Sequence, residues 1–166
     1  MNHPRQTLAE KLVTLAQREI GVHELGDSNC GPRVNEYKSA CEGMPSTAAW
    51  PWCAAFLCWL VREAMGDVAY SFRRPITPGA WDLERWSLEQ DNSTQTKKPT
   101  MGDIRAGDLI IFKFSHCGLA ISSPGGMGTL RTIEGNTNEA GSRDGGGVYL
   151  KHRPVEQIRS RIRFTV

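Results

Sequence analysis

The sequence predicts an α+β fold in which helices come first and an antiparallel sheet of about five strands follows. Two observations predict it. Apolar residues recur at helical spacing in the first half of the chain, most clearly between Trp50 and Met65. From Leu109 onward, short apolar runs alternate with turns rich in Gly, Ser and Pro, too short for helical crossovers. A length of 166 residues suits one domain with one core. No internal repeat or linker divides it, so 1–166 reads as a single domain, with 1–20 as a packing helix.

Thr7 begins the first helix, with Glu10 three residues on as in a capping box. Leu8, Leu12, Leu15, Ala16 and Ile20 form its apolar stripe, and Gly21 ends it. A polar loop runs from Val22 to Cys30. A short helix is expected from Pro32 to about Cys41, then a loop to Pro51. Pro51 cannot sit inside a helix, so the next one starts at about Trp52 or Cys53 and runs to Gly66. Trp81, Leu83, Trp86 and Leu88 can pack one side of a short helix. The polar stretch from Asp91 to Thr100 reads as an exposed loop. Strands are expected at Leu109–Phe114, Cys117–Ser122, Leu130–Asn136, Gly145–Leu150 and Arg159–Val166. On the last, Ile158, Ile162 and Phe164 face one way, and Arg159, Arg161 and Arg163 form a solvated face.

Composition excludes little. Hydrophobic residues make up 39% and charged residues 23%, and the net charge of +2 gives no reason to expect nucleic acid as a partner. No apolar run is long enough to span a bilayer, so stable membrane insertion is not expected. Residues 1–20 lack the apolar core of a Sec signal. Five cysteines leave at least one unpaired in a monomer. A helix of about ten residues between Cys30 and Cys41 would hold them roughly 15 Å apart. A disulfide needs Cα atoms within about 7 Å, so no bridge is expected there.

Chemistry concentrates at one cysteine. Cys53 falls in the first turn of its helix, where free N–H groups and the helix dipole favour negative charge. That is a place where a thiol becomes a thiolate near neutral pH. Cys58, mid-helix and about 140° around from it, is core. A thiolate needs a base, and the base needs an orienting group. Of four histidines, His3 lies in a tail, His23 in a polar loop and His152 near the surface. His116 opens a strand and shares a face with small Gly118 and Ala120. Thr132, Glu134 and Asn136 share one face of the next strand. Either Glu134 or Asn136 could accept a hydrogen bond from the imidazole Nδ1–H. Gly135 between them suggests a bulge or close backbone approach. Zinc held by Cys53, Cys58, His116 and Cys117 is the competing chemistry, but no Cys-x2-Cys pair exists and helix and strand directions point these side chains apart.

Pro51-Trp52-Cys53-Ala54-Ala55-Phe56, Gly107-Asp108-Leu109-Ile110, Ser115-His116-Cys117-Gly118-Leu119-Ala120 and Ile133-Glu134-Gly135-Asn136-Thr137 together resemble the CHAP family. These are cysteine, histidine-dependent amidohydrolases and peptidases with a papain-like fold related to NlpC/P60. The resemblance covers the chain from about Gly21. It implies Cys53 as nucleophile, His116 as general base and then acid, Glu134 as orienting group and Asn136 as a further polar site residue. It also implies cleavage of amide bonds in bacterial peptidoglycan through a thioester.

No cofactor is implied. The calcium found in some members needs an acidic loop before the cysteine, and residues 42–51 contain only Glu42, so no metal is expected. No separate wall-binding domain is expected. A lone catalytic domain without a Sec signal resembles a phage endolysin released by a holin, or a secreted toxin with an immunity protein, acting on the wall from the periplasm as a monomer. A non-catalytic wall- or partner-binding module and a cysteine peptidase on proteins are the alternatives. The Cys53 backbone N–H is the natural oxyanion donor. Trp50, Trp52 and Trp81 are candidates to line a substrate groove, although tryptophan is more often core.

Overall fold

Thr7 caps the first helix as its spacing with Glu10 requires, each side chain accepting from the other residue's backbone N–H. The computed structural model describes residues 6–90, 92–98 and 101–166, so the tail assigned to His3 lies outside them. Helix α1 (Leu8–Glu19) buries Leu8, Leu12 and Ala16. Helix α2 (Pro32–Lys38) is shorter than expected and ends before Cys41. Helix α3 (Cys53–Met65) starts directly after Pro51-Trp52 and buries most of its residues. Helix α4 (Ala80–Leu88) follows.

Six strands form one antiparallel sheet, where about five are expected from sequence. They are β1 (Thr94–Lys97), β2 (Leu109–Phe112), β3 (Cys117–Ala120), β4 (Thr129–Thr137), β5 (Gly147–Pro154) and β6 (Ile158–Phe164), in the order β1-β6-β2-β3-β4-β5. The additional strand, β1, lies within the stretch read as a loop. Thr-Gln-Thr-Lys carries no apolar residue, and it pairs with β6 at the sheet edge. Asp91, Pro99 and Thr100 of that stretch lie outside the described residues.

The sheet is buried on both sides. Leu109, Ile111, Leu119, Ile133 and Ile162 pack with the helices, while Ile104, Ile110, Phe112, Ala120, Leu130 and Ile158 form a second cluster. This is why Leu109–Phe112 is continuously apolar instead of alternating. Register shifts between β2 and β6, where Ile111 faces Ser160 and Phe112 faces Ile158. The extra residue on β6 turns Ile158 away from Ile162, which corrects the single face expected for both.

The arginine face of β6 is not a solvated face. Arg161 is fully buried, 2.9 Å from Asp103. Arg163 pairs with Asp108 at 2.7 Å. Arg159 alone of the three keeps a largely open side chain, paired with Glu84 and lying over the Trp81 ring. Among the described residues, no helix is long and apolar enough to cross a membrane.

Candidate active site

Pro51 sets the geometry of the site by holding the chain out of helix until Trp52. The Trp52 backbone N–H donates to Asn136 Oδ1 at 2.8 Å, tying the entry of α3 to β4. Cys53 is thereby the first residue of α3, nearly buried, with its N–H among those lacking an intrahelical acceptor.

His116 is delivered by the β2–β3 hairpin. The Phe112 N–H donates to the His116 carbonyl at 2.9 Å. Ser115 takes the left-handed conformation, with φ of 56°. The imidazole is fully buried and stacks nearly parallel with Phe112 and Phe114, ring centroids 5.9 Å from each. Its Nε2 lies 2.9 Å from Glu134 Oε2. The nitrogen that meets the carboxylate is therefore Nε2, where the sequence reading placed Nδ1. Nδ1 is buried with no hydrogen-bond partner, and the neighbouring Cys53 sulfur favours the protonated ring. Such contacts commonly tighten only when substrate binds.

Glu134 is fully buried and saturated with donors. Oε1 accepts from Thr132 Oγ1 at 2.6 Å and Arg153 Nε at 2.9 Å. Oε2 accepts from Arg153 Nη2 at 2.6 Å as well as facing the imidazole. Gly118 leaves room for this side chain, since a Cβ there would stand 2.6 Å from Glu134 Cγ.

The charges follow from these contacts. A hydrogen bond from the Cys117 thiol is the largest influence on Cys53; burial opposes it, and His116 adds to it, leaving Cys53 well below the ordinary thiol range. Burial keeps Cys117 protonated, as does its bond to Cys53. Burial alone would lower His116, but Cys53 and Glu134 outweigh it and raise the imidazole to about 9. Burial alone would raise Glu134, but Arg153 and His116 outweigh it and bring the carboxyl down to about 2. The result is a buried row of alternating sign: thiolate, imidazolium, carboxylate, guanidinium. Such a row can present a sulfur nucleophile and a proton donor side by side near neutral pH.

Three of the four residues expected at the centre are brought together: Cys53, His116 and Glu134. Asn136 is not beside the histidine. A register shift in β4 between Glu134 and Thr137, and a φ of 56° at Asn136, break the alternation that would align it with Glu134. Gly135 sits inside that shift, and its backbone passes so close to α3 that a Cβ would lie 2.8 Å from both Phe56 and Trp52. Asn136 instead joins Trp52 N to the Gly145 carbonyl and Asn29 Oδ1. Asn136→Ala is expected to cost about 1–3 kcal/mol of stability, because it strands the buried Trp52 N–H. Urea denaturation checks this.

The tryptophans divide. Trp52 is fully buried, stacked on Tyr37 at 5.6 Å and bonded through Nε1 to Glu24. Trp50 is buried and donates to the Pro45 carbonyl. Neither is open to a groove, which corrects that expectation, and the apolar body of each is satisfied in the core. Trp81 is 43% exposed and donates to the Phe112 carbonyl at 3.0 Å, beside the Phe112–His116 stack.

All five cysteines are free thiols. Helix and strand directions separate Cys53 from Cys117 on paper; the structure brings the two sulfurs together where α3 starts against β3. Cys58 lies elsewhere, sharing the Thr77 carbonyl with Cys41, each sulfur at 3.4 Å. Among the described residues, no group of three or more His, Cys, Asp or Glu is placed to hold a metal ion. Sequence reasoning missed Arg153. The signal was available in principle, since a buried carboxylate needs a cation, but β5 extends to Pro154 instead of ending at Leu150.

Helices on one face of an antiparallel sheet, with cysteine opening the buried helix and histidine at the adjoining strand, make the papain-like α+β arrangement. No family model matches the chain, and no curated protein sequence does. Among solved structures, the chain is similar to the crystal structure of the wild type endolysin LysIME-EF1, with a TM-score of 0.56 and 17% identity. The likeness covers 95% of this chain and 64% of that one, so the chain spans just under two thirds of that endolysin's length. At this identity the likeness is one of fold.

Proposed function

We propose that the chain is a cysteine peptidoglycan hydrolase that cleaves an amide bond of the bacterial wall. The observation that carries the reading is the buried Cys53–His116–Glu134 row at the start of α3. The CHAP resemblance supplies the substrate class. That the structural neighbour is an endolysin favours the phage-lysin form over the secreted-toxin form, with release to the wall depending on a holin.

In this reading the Cys53 thiolate attacks the amide carbonyl carbon, forming the C–S bond and an oxyanion that faces the Cys53 backbone N–H. The His116 imidazolium then gives its Nδ1 proton to the amide nitrogen. The C–N bond breaks, the amine leaves and a thioester remains. Neutral His116 next takes a proton from water, whose oxygen attacks the thioester. Collapse of the second tetrahedral intermediate releases the acid and restores the thiolate–imidazolium pair. Glu134 holds the ring through Nε2 throughout. Trp81, exposed and bonded to the Phe112 carbonyl, is the tryptophan of the three that could meet substrate in this reading.

The test is incubation of purified sacculi with the wild-type protein and with Cys53→Ala, followed by mass spectrometry of released fragments. Free stem peptides with an N-terminal alanine, the lactyl group staying on the sugar, mean cleavage of the sugar–alanine amide, and shortened or uncrosslinked muropeptides mean endopeptidase action. No release by wild type from sacculi of several wall chemotypes overturns the reading. The rate is also expected to fall as pH rises through about 9, where His116 loses the proton owed to the leaving amine. A rate still rising beyond that pH would show that some other group supplies it.

A further inference from the structure

Glu134 can stay ionised in the core only if other groups replace the water it has lost. The charged and titratable groups facing it are few. His116 comes from the start of β3 and Arg153 from β5, with Cys53 and Cys117 beyond the imidazole. Tyr149 is its partner across the β4–β5 ladder. Thr132, on its own strand, adds a neutral donor. Arg153 provides two of the four hydrogen bonds, one to each carboxylate oxygen. That fork fixes the plane of the carboxylate as well as its charge.

Arg153 is itself held. Nη2 also donates to the Gly141 carbonyl at 3.1 Å, and the guanidinium lies over Phe112 and Phe114 at 5.4 and 5.2 Å from their centroids. Those two rings, 5.1 Å from each other, are the ones that lie against His116. One side chain thus grips both the carboxylate that orients the imidazole and the aromatic walls that confine it.

We propose that Arg153 is a positioning residue for the Cys53–His116 pair, acting through Glu134 to keep the imidazole aimed at the thiolate and charged. This rests on the hydrolase reading only for its effect on turnover. Without the guanidinium, Glu134 takes up a proton at higher pH, the imidazolium loses its counter-charge and the thiolate becomes harder to form. A residue that merely packs β5 against β4 would change stability and leave the titration of Cys53 where it was.

The experiment is iodoacetamide labelling of Cys53 as a function of pH, read by peptide mass mapping, in wild type, Arg153→Met and Arg153→Lys. Sacculus digestion by the same three proteins accompanies it. For Arg153→Met, the pH at which Cys53 becomes reactive is expected to rise by about one unit. Turnover is expected to fall by about 10- to 100-fold, as when the partner behind a functional group is removed. Arg153→Lys keeps the charge without the fork, so labelling should return close to wild type while turnover stays reduced. An unchanged labelling profile in folded Arg153→Met overturns the proposal. If Arg153→Met does not fold, Arg153→Lys decides alone, and wild-type turnover in it overturns the role of the fork. Sacculi left intact by wild type would sink the hydrolase reading, while labelling, which needs no substrate, still judges Arg153.

Discussion

Cys53→Ala is expected to lower fragment release from sacculi by about 10,000-fold or more. No neighbouring group can stand in. Cys117 is the thiol that neighbours Cys53, and burial alone, the largest influence on it, keeps it protonated after Cys53 is gone. Cys58 is committed to the Thr77 carbonyl on another face of α3. The substitution removes one sulfur from a nearly buried site, so the fold should persist, and thermal denaturation checks this. It also removes the charge that helps hold the proton on His116, whose titration should move below the wild-type value of about 9. NMR of the imidazole measures that directly. Residual activity within 100-fold of wild type would exclude Cys53 as the nucleophile.

Glu134→Gln should lower turnover by about 100- to 10,000-fold and destabilise the fold by about 3–5 kcal/mol. All the polar groups bonded to the carboxylate are donors: Thr132 O–H, Arg153 Nε–H and Nη2–H, and His116 Nε2–H. Glutamine offers an acceptor to one pair and an NH2 group to the other, where donor meets donor. Arg153 is left as an uncompensated buried charge, and the imidazole is driven towards the wrong tautomer. The stability difference has a pH signature. Glu134, brought down to about 2 from an ordinary 4.5, contributes fully above 4.5 and loses that contribution as pH falls through about 2. The gap between wild type and Glu134→Gln in urea midpoint should therefore narrow on acidification below 4.5. A gap that widens there would contradict the ionised row. Cys53 and His116 oppose each other in this respect: the lowered thiol gives up a proton on folding, and the imidazole, raised to about 9, takes one up.

Much of the fold follows from local rules that need no partner. Pro51 dictates where α3 begins, Thr7 and Glu10 cap α1, and the apolar runs after Leu109 mark strands buried on both sides. What stayed hidden depends on residues distant in sequence. Thr94–Lys97 becomes a strand because β6 offers it an edge. Arg161 can be buried and Arg163 half-buried because Asp103 and Asp108, 58 and 55 residues away in the chain, pair with them. The centre was legible at Cys53, His116 and Glu134, since helix start, strand face and residue chemistry agree there. Asn136 departed because a single bulge reverses side-chain parity, and alternation in a sequence does not register bulges. Arg153 was passed over because its partner lies across the β4–β5 ladder and its strand runs further than the apolar pattern suggests.

The position of β6 bears on when the site comes into being. Among the described strands, the last in chain order is not at the sheet margin; it inserts between β1 and β2. Strand β2 carries Phe112, the wall against which His116 stacks, and until β6 arrives that strand has one side of its ladder unpaired. A nascent chain emerging from the ribosome can close the β2-to-β5 meander, but it cannot complete the sheet before residues 158–164 are free of the exit tunnel. Completion of the sheet around Phe112 is thereby coupled to the emergence of residues 158–164, well after Cys53 and His116 have left the tunnel.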